Sequence, residues 1–346
     1  MNKHKLEFIR KELYSQNTNE IVLVKIKEGL LTQTFADIGN IFEHAGSVNF
    51  VPFPYLNLHL KMNAPESDRT FSPKQALTPT PELYGEIVGD GMERLAAVSL
   101  TCIEPFGDSE VIFHDVGCGL GAGTAAVASL KKDNIIIKGT DIDENVVKLY
   151  RQNVAKNQWP AEAFKMDASA LDFPDETFTH CIGNALLFVL PNDGVDAIKE
   201  IHRTLKPGGI AIINSWAHTP TIPAIHAAAK KTRPAATPLP REGLDKWENE
   251  VHLRDVIIKG GFTPDNVAIT QKDVHVTVGD LKRFATMIWS FIGGTSKAGW
   301  LESDEENWDT AVEAVIEALT QTEGFEKLED GRNKIMFQAH VAVATK

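Results

Sequence analysis

Seven consecutive residues, Asp115-Val116-Gly117-Cys118-Gly119-Leu120-Gly121, form the stretch best suited to chemistry in this chain. Glycines at alternate positions let a backbone turn sharply and lie close against a ligand. A helix opening behind them would present its free N–H groups to that ligand. Twenty residues beyond Gly121, after the apolar run Ile135-Ile136-Ile137, stands Asp141. A carboxylate at the end of the second strand can accept both hydroxyls of a ribose. Alternating glycines alone are a weak signal. Strand, glycine turn, helix and acidic residue in register point to a nucleoside ligand.

Two nucleoside cofactors fit that outline, and the neighbouring residues favour one. A dinucleotide would set its pyrophosphate at the helix N-terminus, where an acidic residue before the glycines repels it. Asp115 occupies that place, and no Lys or Arg follows the turn until Lys131. A carboxylate there suits a ligand with an amino-acid tail, whose ammonium needs a counter-charge. Asp167-Ala168, after the third strand, can take a hydrogen bond from an adenine amino group. The comparison favours S-adenosyl-L-methionine.

These residues need a scaffold, and the pattern supplies one. Val111-Ile112-Phe113, Ile135 to Ile137, Phe178 to Ile182 and Ile210 to Asn214 read as buried strands. They alternate with helical patterns over 124–130, 144–157 and 194–205, the last stopped by Lys206-Pro207-Gly208-Gly209. This rhythm predicts a mostly parallel sheet covered on both faces. Beyond it, Pro220, Pro223, Pro234, Pro238 and Pro240 break residues 217–243 into a loop or lid. Helical period returns over 244–259, 279–292 and 304–320. Alternation over 266–278 and 336–344 predicts two late strands forming an antiparallel edge. Leu30, Leu31, Phe35, Ile38, Ile41 and Phe42 have helical spacing, Ile21 to Ile26 reads as a strand, and residues 63–81 are rich in Pro, Ser and Thr. The expected division is an N-terminal extension over 1–61, a linker over 62–81 and a catalytic domain over 82–346. Lid elements are expected around 217–260 and 279–322.

The bulk numbers narrow the partners. A net charge of −12 opposes phosphate backbones. No run approaches the roughly 18 apolar residues of a membrane span. Charges interrupt the N-terminal residues in a way no secretory signal does. Three cysteines without paired spacing, Cys102, Cys118 and Cys181, form neither a disulfide frame nor a metal knuckle. The expectation is a cytoplasmic enzyme with a small-molecule acceptor, no nucleic acid, no membrane and no metal; the oligomeric state is undecided.

As an ordered set, DVGCGLGAG, GTDID, MDASALDFPDETF and the helix ending in LKPGG resemble the class I S-adenosylmethionine-dependent methyltransferases of the UbiE-like group, across residues 81–215. The tail from Val274 is similar in layout to fungal small-molecule methyltransferases, which brings secondary metabolism into view. The resemblance implies a Rossmann-like α/β fold: a seven-stranded, mostly parallel sheet with an antiparallel edge strand and a helical lid insertion. It also implies that Asp115, Gly117, Gly119 and Gly121 line the methionine and ribose portions. Asp141 would take the ribose hydroxyls, Ile142 pack against the adenine, Asp167 and Ala168 hold its edge, and Asn184 lie beside the methyl-transfer cleft. Members of the group often carry His-His-Leu where this chain has Phe188-Val189-Leu190. A base shared with the group is therefore missing. The acceptor pocket is expected among Tyr84, Phe188, Trp216 and Trp289, with His218 the one candidate base. The alternatives are a histone-like protein acceptor, a binding protein that does not methylate, and a dinucleotide oxidoreductase.

Overall fold

The computed structural model describes residues 24–26, 29–31, 71–78, 80–241, 245–291 and 296–346. In the N-terminal unit two short strands, β1 (Val24–Ile26) and β2 (Gly29–Leu31), pair antiparallel. Leu30 and Leu31 thus lie on a strand where their spacing predicts helix. The rest of the helical pattern, over 35–42, lies outside the described residues, as does the boundary at 61/62.

The main unit is built on an eight-stranded sheet with the order β5-β4-β3-β6-β7-β10-β8, with β9 paired to β10. Its strands are β3 (Val111–Val116), β4 (Ile135–Asp141), β5 (Ala161–Lys165), β6 (Phe178–Gly183), β7 (Leu205–His218), β8 (Val267–Val278), β9 (Glu326–Lys327) and β10 (Asn333–Thr345). The strands β5, β4, β3, β6 and β7 run parallel. β10 is antiparallel to both β7 and β8. The fold is the Rossmann-like one expected, with two differences. The count is eight because the two-residue β9 adds to the seven long strands. The antiparallel strand also stands one place in from the edge, because β10 inserts between β7 and β8. The long run of buried positions in β10, from Ala339 to Ala342, is what an interior strand requires.

Local chemistry sets the helix ends. Thr80 caps α1 (Pro81–Val88), its hydroxyl accepting from Leu83 N at 3.1 Å. α2 (Gly91–Leu100) and α3 (Ala122–Ala128) follow. Asp143 caps α4 (Glu144–Asn157), accepting from Asn145 N at 2.7 Å. α5 (Val195–Thr204) ends ahead of Lys206-Pro207-Gly208-Gly209, as expected, and leads directly into β7, which includes that segment. Gly208, at φ +75°, bonds through its N to Lys346 O at 2.9 Å, and Lys346 N bonds to Gly209 O at 3.0 Å, which pins this stretch beside the end of β10.

The proline-rich stretch contains a helix. α6 (Thr221–Thr232) begins right after Pro220, carries Pro223 in its first turn, and ends just before Pro234. First-turn N–H groups have no partner within a helix, so proline costs nothing there. The prolines bracket the element instead of breaking it. α7 (Glu250–Lys259) puts Leu253, Val256 and Ile257 into the core that covers the sheet beside α5. α8 (Leu281–Ser290), α9 (Glu302–Glu306) and α10 (Trp308–Thr320) follow. A gap at Asn307 splits the single helix expected over 304–320. Together α6, α8 and α10 form a second core with β8 and β10, around Ala228, Phe284, Trp289 and Val315. Residues 74–77 also pack here: Lys74 N bonds to Glu305 and Leu77 N bonds to Ser290 Oγ.

One buried ion pair locks this second core. Arg233, at the end of α6, donates to both carboxylate oxygens of Asp304, at 2.8 Å and 2.7 Å. The two side chains are 1% and 0% exposed. Arg233 also donates to Ser296 Oγ and Gly299 O, and Leu301 N donates to Asp304. Removing one partner strands a buried charge, at a cost of about 3–5 kcal/mol. Asp304→Ala should therefore lower stability by that amount in a denaturant titration. A loss under about 1 kcal/mol would show that water replaces the pair.

Candidate active site

The parallel strands end on one side of the sheet, and the chain reverses direction across it there. From β3 it runs outward through β4 to β5, then returns to the other side at β6 and β7. Such a switch point leaves a crevice at the carboxyl ends of the strands. Residues 117–121, 141–142, 167–168 and 184–186 follow β3, β4, β5 and β6, so the fold gathers them at that crevice.

The turn after β3 is set by backbone and by one carboxylate. Gly117 has φ +64°, and a Cβ on it would lie 2.4 Å from Leu186 Cδ1. Gly119 has φ +52°, and nothing lies within 4 Å of where its Cβ would be. The first glycine is needed for fit within the protein; the second faces space a ligand can enter. Gly121 closes the turn, its N–H bonding Cys118 O at 2.8 Å, and accepts from Ala125 N to start α3. Cys118 is buried against Val147, Tyr150 and Ala163, and burial pushes its thiol up, which suits a packing role.

Asp115 lies behind this turn. It is 1% exposed, and its Oδ2 accepts from Thr124 N and Thr124 Oγ1, both at 2.8 Å. Thr124 Oγ1 in turn contacts Tyr150 OH at 2.6 Å. The carboxylate ties β3 to the first turn of α3, where the helix dipole favours negative charge. These hydrogen bonds are to the protein itself, and they set the shape of the turn.

Asp141 joins the two halves of the crevice. Its carboxylate accepts from Gly119 N at 3.1 Å and from Asp143 N at 3.0 Å. It is half-buried, and burial, the largest influence, raises its pKa against the pull of the neighbouring N–H groups. A carboxylate has about four lone-pair sites, so capacity remains for further donors. Beside it, Ile142 is 57% exposed, and Leu120 in the turn is 51% exposed. Asp167 is exposed, with Oδ1 accepting from Ser169 N at 2.8 Å, and Ala168 is buried.

Asn184 belongs to a polar network that sequence patterns do not reveal. Its amide donates to Met92 O at 3.1 Å, and its oxygen accepts from Asn214 at 2.9 Å. Asn214 also donates to Ser99 Oγ and accepts from Ala185 N. Asn214 and Ser99, both fully buried, fix the end of β6 against α2. Their only sequence sign is a polar residue inside an apolar run.

Next to Met92 opens a cavity of about 190 Å³. Phe188, Trp216, Trp247, Phe284, Ile288 and Phe337 line it, with Thr219, Thr221, Ile222, Arg241 and Glu248. Phe188 and Trp216 are thus pocket residues as expected. Trp289 is not: it is 0% exposed in the second core, because the buried side of α8 carries it inward. Tyr84 stands in α1, and its side chain lies outside the described residues. His218, half-buried at the end of β7, is not among the lining residues. His180 packs against Phe106 at 4.9 Å, a structural role.

The comparisons follow the same lines. Residues 114–213 match the methyltransferase domain family. The methyltransferase ktnA of Aspergillus niger is 24% identical over 252 residues, covering 65% of this chain and 82% of that protein. The demethylmenaquinone methyltransferase of Lysinibacillus sphaericus is 33% identical over 99 residues, covering 28% of this chain and 41% of that protein. Residues 114–213 thus carry a methyltransferase domain, and the chain is similar to S-adenosylmethionine-dependent methyltransferases. Among solved structures, a methyltransferase of the same cofactor class from Aquifex aeolicus aligns with 59% of this chain and 94% of its own, at 19% identity and a TM-score of 0.39. The residues present fit S-adenosylmethionine: space at Gly119, acceptor capacity on Asp141 and an exposed apolar face at Ile142. No helix among the described residues is long and apolar enough to cross a membrane.

Burial makes Asp115 and its neighbour opposing sensors of pH. Asp115 is raised to about 7 by burial, with its Thr124 bonds opposing and the Asp141 charge adding. Folded chains therefore hold a proton that unfolded chains release between 3.8 and about 7. Its contribution to stability is complete below pH 3.8 and is lost as pH rises through 7. His114, lowered by burial to about 3, works the other way and weakens the fold as pH falls below 6.5. Asp115→Asn removes only the first slope. Its melting temperature relative to the native chain should rise steadily from about pH 4 to pH 7. A difference independent of pH would contradict the burial of an ionisable group here.

Proposed function

We propose that this methyltransferase transfers a methyl group to an O, N or C nucleophile of a small, fairly apolar molecule. The observation that carries the reading is the Gly119 N–H bond to Asp141 at the carboxyl ends of the strands, together with an apolar-walled cavity lined by Met92, whose carbonyl accepts from Asn184. When bound, S-adenosylmethionine supplies an electrophilic methyl on a positively charged sulfur. Gly117, Gly119 and Gly121 would let the backbone approach its methionine and ribose portions. Asp141 would accept the ribose hydroxyls, Ile142 cover one adenine face, and Asp167 with Ala168 hold the adenine edge. Asp115 would act from behind by holding the turn. Asn184, bonded to Met92 O at 3.1 Å, would set the wall between cofactor and cavity.

The chemistry asks for position more than for a strong base. The new bond forms from the nucleophile's lone pair as the carbon–sulfur bond breaks, and the acceptor's proton is released. Phe188, Trp216 and Trp247 exclude water from this exchange, and in-line placement supplies most of the rate. His218 stands between the lining residues Trp216 and Thr219 without lining the cavity itself, which favours catalysis without it. Glu248 stands among the lining residues as a carboxylate of ordinary exposure.

Asp141→Ala should weaken S-adenosylhomocysteine binding at least about tenfold, since hydrogen bonds to charged groups contribute about 1.5–3 kcal/mol each. Nicotinamide dinucleotides should not bind. Calorimetric titration of both cofactor classes checks this; unchanged affinity in the variant would remove Asp141 from the ribose site. Once an acceptor is in hand, His218→Ala should keep turnover within about tenfold of the native chain. General-base catalysis is worth about 10²–10⁴-fold, so a hundredfold loss at unchanged cofactor affinity would make His218 the base.

A further inference from the structure

We infer that the cavity beside Met92 is built for an acceptor with a single aromatic ring that carries a hydroxyl group. The inference rests on the proposed methyl transfer and names its acceptor class. Size is the first argument. The cavity measures about 190 Å³. An enclosed apolar protein cavity of about 150 Å³ admits benzene, so this one has room within its walls for a ring with one or two small substituents, and three fused rings would protrude from it. Shape and lining are the second. Phe188 and Trp247 meet at 6.3 Å and 71°, and Trp216 and Phe337 at 5.3 Å and 55°. These edges and faces suit a flat aromatic guest, because ring pairs favour offset and edge-to-face contacts. Phe284, Ile288 and Phe337 are 3%, 6% and 9% exposed and make the closed end.

The open end differs chemically. Among the described residues lining the cavity, Glu248, an exposed residue, is the one acidic side chain, and Arg241 is the one basic side chain. An ionised carboxylate accepts hydrogen bonds and donates none. It therefore favours a ring with an O–H donor over the matching ether. The turn that carries Glu248 and Trp247 is held in place: His340 Nε2 contacts Glu248 O at 2.9 Å, and Trp247 packs on His252 at 4.7 Å. The backbone that carries Glu248 is thus fixed next to Trp247 of the aromatic wall.

The test is calorimetric titration of the full chain, saturated with S-adenosylhomocysteine, against p-cresol, 4-methylanisole and the three-ring 9-phenanthrol. p-Cresol should bind, with 4-methylanisole weaker by roughly tenfold or more, the worth of one hydrogen bond to a charged acceptor. Binding of 9-phenanthrol should be weaker than that of p-cresol. Glu248→Gln should narrow the cresol-to-ether gap, and Ile222→Trp, which fills the cavity from a half-exposed position, should abolish ring binding while cofactor still binds. Cofactor binding with no p-cresol binding overturns the acceptor class and leaves the cofactor site standing. Tighter binding of 9-phenanthrol than of p-cresol overturns the size argument, and an unchanged gap in Glu248→Gln overturns the role of the carboxylate. Failure to bind S-adenosylhomocysteine at all overturns the proposed methyl transfer itself.

Discussion

The carboxylate of Asp115, buried and bonded to both donors of Thr124, is the constraint on which the site depends. It fixes where β3 stops and α3 starts, and so fixes the turn between them. Once that turn is set, Gly119 N reaches Asp141, and the ends of β3 and β4 become one surface. The arrangement is costly, because a buried carboxylate loses its hydration and is repaid only in part by two hydrogen bonds. Natural folds keep such costs where function needs a rigid backbone. Gly117 supports the same rigidity from the other side, where Leu186 leaves no room for a side chain.

The acceptor side is held by different means. α6, α8 and α10 share an apolar core that rests on β8 and β10, and Arg233 with Asp304 joins the end of α6 to the segment before α10. An ion pair buried this fully adds little net stability but tolerates few alternative packings. The helices that cover the cavity thus form a second packed layer on the same sheet. Met92 connects the two sides: it lines the cavity, and its carbonyl holds Asn184.

The cofactor half was legible in the sequence because its signals are local. The glycine turn, Asp141 and the start of the helix at 144 each depend on backbone geometry within a few residues, and the structure places all three where the spacing puts them. Proline was misleading over 217–243, since its effect depends on whether it falls in the first turn of a helix or its middle. Trp289 was misread for a related reason: its apolar ring suits a pocket or a core equally, and only the packing of α8 decides. Ser99 and Asn214 went unnoticed because a buried polar network is made by residues 115 positions apart. The position of β10 inside the sheet is also long-range, set by pairing with strands on both sides.

The most direct test of this account is a crystal structure of the chain with S-adenosylhomocysteine. The account predicts the ribose hydroxyls on Asp141, the adenine over Ile142 with its edge at Asp167 and Ala168, and the backbone of Gly119 against the ligand. It further predicts that the sulfur faces the cavity beside Met92. A ligand bound with its ribose away from Asp141, or with its sulfur turned from that cavity, would contradict it.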